Sequence, residues 1–162
     1  MPPGSAARVP LLFLAALTHR GLAPARDTLA GLPPNPSAAL TEPILLTLTH
    51  DSAPLLTLHL DPRLAAITAR ANPAILHYHR LADANLKPLP PAPPALTLQR
   101  GDAYIALSPG ARALAGSPKI ARFLHLRDYF NAQRLAEALL AHLLAPHTAP
   151  PHDITIIVLE AR

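Results

Sequence analysis

Two short segments near the end of the chain set polar side chains beside apolar strands. His152-Asp153-Ile154-Thr155 places an imidazole next to a carboxylate, ahead of the apolar run 154–159. Both are ligand types for a divalent cation: the carboxylate suits Mg²⁺ or Mn²⁺, the imidazole Mn²⁺ or Zn²⁺. The plainer reading is a loop pair before a strand, with Asp153 bonding locally. Arg100-Gly101-Asp102 precedes a second apolar run, Ala103 to Leu107, which closes on Ser108-Pro109-Gly110. Ser108 stands where a nucleophile would sit, yet no Gly-x-Ser-x-Gly elbow surrounds it and Ser-Pro-Gly is itself a strong turn. Asp102 is expected to fix the turn ahead of its strand. His77 and His79 lie two residues apart and share one strand face, the spacing of a two-histidine metal edge that His50 or His59 would join. The solvated polar face of an antiparallel sheet explains the same spacing. No Gly-rich phosphate loop of either standard spacing is present.

Holding such groups takes strands, and the pattern supplies them from Ile44 onward. Ile44 to His50 ends in alternation, Asp51-Ser52-Ala53-Pro54 is a turn, and Leu55 to Leu60 puts leucines on one face with Thr57 and His59 on the other. Strands near 64–70 and 74–80 follow after short connections, which predicts an antiparallel meander because parallel strands need long crossovers. After the extended, proline-rich stretch 87–94, strands are expected at about 95–98 and 103–107. Ahead of the meander, residues 5–19 read as a buried helix capped by Ser5 and apolar on nearly every face. A short helix over about 25–32 is expected to stop at Pro33-Pro34. Ala132, Leu135, Ala136, Leu139, Leu140 and Leu143 recur at helical spacing behind Asn131, a candidate cap, so a helix runs to Leu144. This stripe reads as core. A loop over 146–151 leads to the last strand, 154–159, whose near-continuous apolarity suits a central position covered on both faces. The sum is one domain, 1–162, of α+β class: an antiparallel sandwich flanked by helices.

Composition narrows the function. The hydrophobic content is 50% with 4% aromatic, so the core must be mainly aliphatic. The net charge is +4, but Lys and Arg are scattered singly without a basic stripe or stacking aromatics, so nucleic acid is not an expected partner. The absence of cysteine removes disulfides and thiolate metal sites. The run 9–17 loosely mimics a secretory signal, but it is short and contains Pro10, and no stretch reaches the roughly 20 apolar residues of a membrane span. A cytoplasmic protein without membrane contact is expected.

In order and spacing, the two terminal segments resemble the last two signature segments of the metal-dependent (PPM-type) serine/threonine phosphatases, in particular the bacterial SpoIIE-like branch. That family writes them as Gly-Asp, an apolar strand and Ser-Asp-Gly, then Asp-Asp-Ile-Thr or Asp-Asn-Ile-Thr. Gly101, Asp102, Ser108, Gly110, Asp153 and Thr155 match, whereas Pro109 and His152 replace aspartates. Residues 55–80 resemble the family's strand pair, with Ala71-Asn72-Pro73 in place of its Ala-Gly-His-Pro turn, and 127–144 its penultimate region. If Gly4-Ser5-Ala6-Ala7 aligns after the family's Asp-Gly-His-Gly loop, the aspartate position falls on Met1-Pro2-Pro3 and the opening strands are absent. The resemblance implies a fold in which two hard cations between carboxylates activate a bridging water. Pro109 offers no donor, and neutral His152 carries no carboxylate charge. The expectation is therefore a degenerate, catalytically inactive domain with no catalytic residue, no bound cofactor and a regulatory or phosphoprotein partner. Homodimerisation through an exposed sheet edge is a further expectation. Two alternatives stay open: a Mn²⁺- or Mg²⁺-dependent phosphatase completed by missing N-terminal residues or a partner chain, and a small histidine-based metal binder using the nine histidines, with His152 and Asp153 as metal candidates.

Overall fold

The computed structural model describes residues 8–35, 38–126, 131–145 and 149–162. Among the described residues ten strands and two helices follow in the order β1 (Leu12–His19), β2 (Asp27–Ala30), β3 (Ile44–His50), β4 (Ala53–Asp61), β5 (Ala66–Ala71), β6 (Leu76–Arg80), β7 (Leu86–Pro88), β8 (Leu96–Thr97), β9 (Ala103–Leu107), α1 (Pro109–Leu126), α2 (Ala132–Leu144) and β10 (Ile154–Ala161). They form two five-stranded antiparallel sheets, β1-β10-β9-β6-β7 and β2-β3-β4-β5-β8. Leu12, Leu14, Leu46, Leu58, Leu60, Ile67 and Leu159 fill the space between the sheets. Ile105, Leu107, Ile156 and Val158 point the other way, onto Ile120, Leu124, Leu135 and Leu139 of the helices. The expected α+β sandwich with flanking helices is what forms.

Several elements stand as the periodicity predicts. Asn131 caps α2, its Oδ1 accepting the Arg134 amide at 2.8 Å, and the buried positions are Ala132, Leu135, Ala136, Leu139 and Leu143. β10 lies between β1 and β9 and is buried along its whole length. The first two elements differ. The segments expected as helices over 5–19 and 25–32 are strands β1 and β2, one at an edge of each sheet; residues 5–7 lie outside the described residues. Apolarity on every face fits a strand covered on both sides as well as a buried helix. β1 has such cover, because Leu12 and Leu14 face the other sheet while Ala15 faces the helices. Tertiary pairing with β10 along eight registered positions overrides the helix propensity of its Ala and Leu.

The meander stops one strand early. β3, β4 and β5 pair in sequence, but β6 crosses to the other sheet, between β9 and β7. α1 was not expected; the helix is kinked within Gly116-Ser117-Pro118, with Gly116 at φ 73° and ψ 154°. The expected segment 127–130 and part of the loop 146–151 lie outside the described residues. No helix among the described residues is long and apolar enough to cross a membrane.

Candidate functional site

The last strand brings the two terminal segments together at one end of the sandwich. β9 ends at Leu107 beside the start of β10, and Ser108 joins it to α1, which starts at Pro109. Ser108 is fully buried. Its amide donates to the Thr155 carbonyl at 3.0 Å, and its Oγ accepts the Thr155 amide at 2.9 Å. It is a joint between strands, closed to any substrate. Gly110 allows α1 to start against the loop, since a Cβ there would fall 2.0 Å from the Asp153 carbonyl oxygen. Pro109 begins the helix, where its missing amide costs nothing.

Asp153 is the centre of this end. Its side chain is completely buried between two arginines that are 56% and 44% exposed. Oδ2 accepts Arg20 Nη1 at 2.6 Å and the Asp27 amide at 2.9 Å. Oδ1 accepts the Gly21 amide at 2.7 Å and Arg26 Nη1 at 3.0 Å. Three of the four donors come from the connection between β1 and β2 and the fourth from the first residue of β2, so this stretch wraps around a single carboxylate. Burial alone would raise the pKa of Asp153; the amides of Gly21 and Asp27 and then the two guanidiniums outweigh it, holding the carboxyl well below the usual carboxylate range.

A second buried carboxylate lies beside the first. Asp27 is 2% exposed. Its Oδ1 accepts from His50 Nδ1 at 2.8 Å and its Oδ2 from the Thr155 hydroxyl at 2.8 Å. With that hydrogen committed to Asp27, the Thr18 hydroxyl must donate to Thr155 Oγ, 3.2 Å away. The chain Thr18–Thr155–Asp27–His50 thus joins the ends of β1, β10, β2 and β3. Sequence reading missed Arg20, Arg26 and Asp27, and considered His50 only as part of a histidine edge. The signal was present in Arg20-Gly21 and Arg26-Asp27, which become visible as strand-end pairs once β1 and β2 are read as strands.

The other candidates are dispersed. Asp102 lies at the start of β9, about 20 Å from Ser108 at roughly 3.3 Å per residue. It accepts the Ala82 amide, the Gln99 amide and His79 Nε2, each at 3.0 Å, and so fixes the turn around Gly101 as expected. His77 is buried too, its Nε2 donating to the Pro90 carbonyl at 2.7 Å and its Nδ1 accepting the Tyr104 hydroxyl at 2.9 Å. Burial pushes its imidazole toward the neutral form. The two-histidine metal edge therefore does not form: both rings are occupied, and His50 and His59 belong to the other sheet.

The residues present do not fit a two-cation centre. Both oxygens of Asp153 are filled by donors, Pro109 has no ligand atom, Asp102 is at the far end of its strand, and His152 is exposed. Among the described residues no group of three His, Asp or Glu side chains is arranged to hold a metal ion. Positive charge at the carboxylate comes instead from Arg20 and Arg26. Each uses only Nη1 in these contacts, so the rest of each exposed guanidinium, with His50 Nε2, is offered to solvent.

No protein-family model matches the chain, and no curated protein matches it by sequence. Solved structures do. The phosphatase domain of the cell fate determinant SpoIIE from Bacillus subtilis superposes with a TM-score of 0.72 at 10% identity, over 96% of this chain and 94% of that one. The chain spans 64% of a longer SpoIIE chain that also carries a fragment of the regulatory domain. The SiaA PP2C domain of Pseudomonas aeruginosa gives 0.67 at 13% identity, over 91% and 84%. RsbX in complex with magnesium gives 0.66 at 10% identity, over 94% and 96%. The chain has the PPM (PP2C-type) phosphatase fold.

Proposed function

We propose that this chain is a degenerate PPM-type serine/threonine phosphatase domain that hydrolyses no phosphoester and acts by binding a regulatory or phosphorylated protein. One observation carries the reading: Asp153, the matched carboxylate of the final motif, is saturated by Arg20, Arg26 and two backbone amides. A carboxylate in that state has no lone pair directed at a cation, and no activated water follows from it. What remains at the mouth is a pair of half-exposed guanidiniums beside the partly exposed imidazole of His50, a donor set suited to a phosphoryl or carboxylate group on a partner. Scattered basic residues and the lack of cysteine support a cytoplasmic setting without nucleic acid or membrane contact.

The reading is tested by calorimetric titration with a short phosphoserine peptide and its unphosphorylated twin, in the presence of a chelator. Binding confined to the phosphorylated form, and weakened at least about tenfold by Arg26→Ala in protein that still melts cooperatively, is the expected outcome. Equal heats from both peptides, or no heat from either, would remove the proposed recognition role.

A further inference from the structure

Backbone bookkeeping along β1 exposes a surface separate from the Asp153 end. Leu11 and Arg162 exchange both of their backbone hydrogen bonds, at 2.8 Å each. Antiparallel alternation then turns the N–H and C=O of Phe13, Ala15, Leu17 and His19 toward β10, and those of Leu12, Leu14, Ala16 and Thr18 away from it. On that outer side the described residues supply one backbone partner, the Leu40 amide on the Leu12 carbonyl at 2.8 Å. Among the described residues nothing pairs with the outward backbone groups of Leu14, whose side chain is buried between the sheets, or of Ala16 and Thr18.

The remaining sheet edges are blunted. β7 has three residues and includes Lys87 and Pro88, β8 has two residues, and β2 has four and begins with Asp27. Short strands, charge and proline are the usual protections of an edge. β1 has eight residues without proline, lysine or a carboxylate, and its pairing with β10 carries no bulge.

We infer that β1 pairs antiparallel with β1 of a second copy of this chain, joining two five-stranded sheets across a two-fold axis at Ala16. The strand's own pattern argues for self-pairing over a foreign strand. Centring on Ala16 sets Ala16 opposite its counterpart and Leu14 opposite Thr18, so every free backbone group on the three residues finds a partner. Between these pairs Ala15 faces Leu17 and Phe13 faces His19, and no like charges are opposed. The contact is isologous, as a closed dimer requires. Its length is set by the fold, because the Leu40 segment closes the edge at Leu12.

Sedimentation of the full chain from micromolar to millimolar concentration, with amide exchange on the same samples, tests this. The mass should double with concentration, while exchange at Leu14, Ala16 and Thr18 slows and that at Phe13 and Ala15 stays constant. Ala16→Pro removes an N–H that faces away from β10, a position proline tolerates in an edge strand; the variant should be monomeric throughout with its cooperative melt retained. Should that variant fail to fold, the exchange pattern of the unaltered chain decides. A monomer across the range, a dimer protected elsewhere, or protection of the three amides already complete at the lowest concentration would each overturn the inference.

Discussion

Asp153 carries opposing effects that can be separated at a single side chain. Full burial penalises its charge, yet two amides and two guanidiniums hold it ionised. Its folded-state pKa lies below the unfolded value of about 3.9. The stabilisation it supplies is therefore complete above about pH 5 and is lost as pH falls through 4 and below. Asp153→Asn should lower stability at neutral pH by about 3 kcal/mol, the low end for breaking a buried pair because both arginines remain half in water. The loss relative to the unaltered chain should shrink toward pH 3, which denaturant unfolding at pH 7 and pH 3 would show. A deficit independent of pH would mean that packing, and not charge, is what Asp153 provides. The departures at Pro109 and His152 could be read from the sequence; the guanidiniums that take the place of cations could not. Arg20 and Arg26 lie about 130 residues from Asp153 in the chain, and no local spacing encodes that meeting.

At the level of elements, legibility followed how one-sided each environment is. α2 and the strands β3 and β4 present one pattern to one environment, and Asn131, the leucine stripe and the alternation of Leu56, Leu58 and Leu60 locate them from sequence; β9, covered on both faces, is located instead by the turns that bound it. β1 is covered on both faces, so its periodicity carried no information and its Ala and Leu content suggested helix. α1 was hidden by Gly116-Ser117-Pro118, which break the local pattern while the flanking turns still pack Ala111, Ile120 and Leu124 into the core. The start of α1 against the Asp153 loop is the tightest of these joints. Gly110→Ala would push a methyl group onto the Asp153 carbonyl oxygen, and overpacking of this kind costs about 2 kcal/mol. Thermal unfolding should show that loss, with α2 helicity unchanged by circular dichroism; a neutral result would mean that the α1–β10 joint is loose.

For the whole molecule, the two sheets and their helices retain the PPM architecture while the end that would hold cations is closed by the chain's own arginines. The sandwich class was evident from the alternating strands and the late helix, whereas β6 changing sheets was not, because Ala71-Asn72-Pro73 looks like any other short turn. That crossing separates His77 and His79 from His50 and removes the histidine edge. The claim that unites these observations is the one proposed above, that Arg20 and Arg26 stand in for metal at Asp153. Titration of Mn²⁺ into the intact chain, with p-nitrophenyl phosphate turnover followed in the same solution, tests it most directly. The account predicts no stoichiometric heat and no Mn²⁺-dependent turnover. Stoichiometric binding with turnover that survives purification and disappears on Asp153→Asn would contradict it.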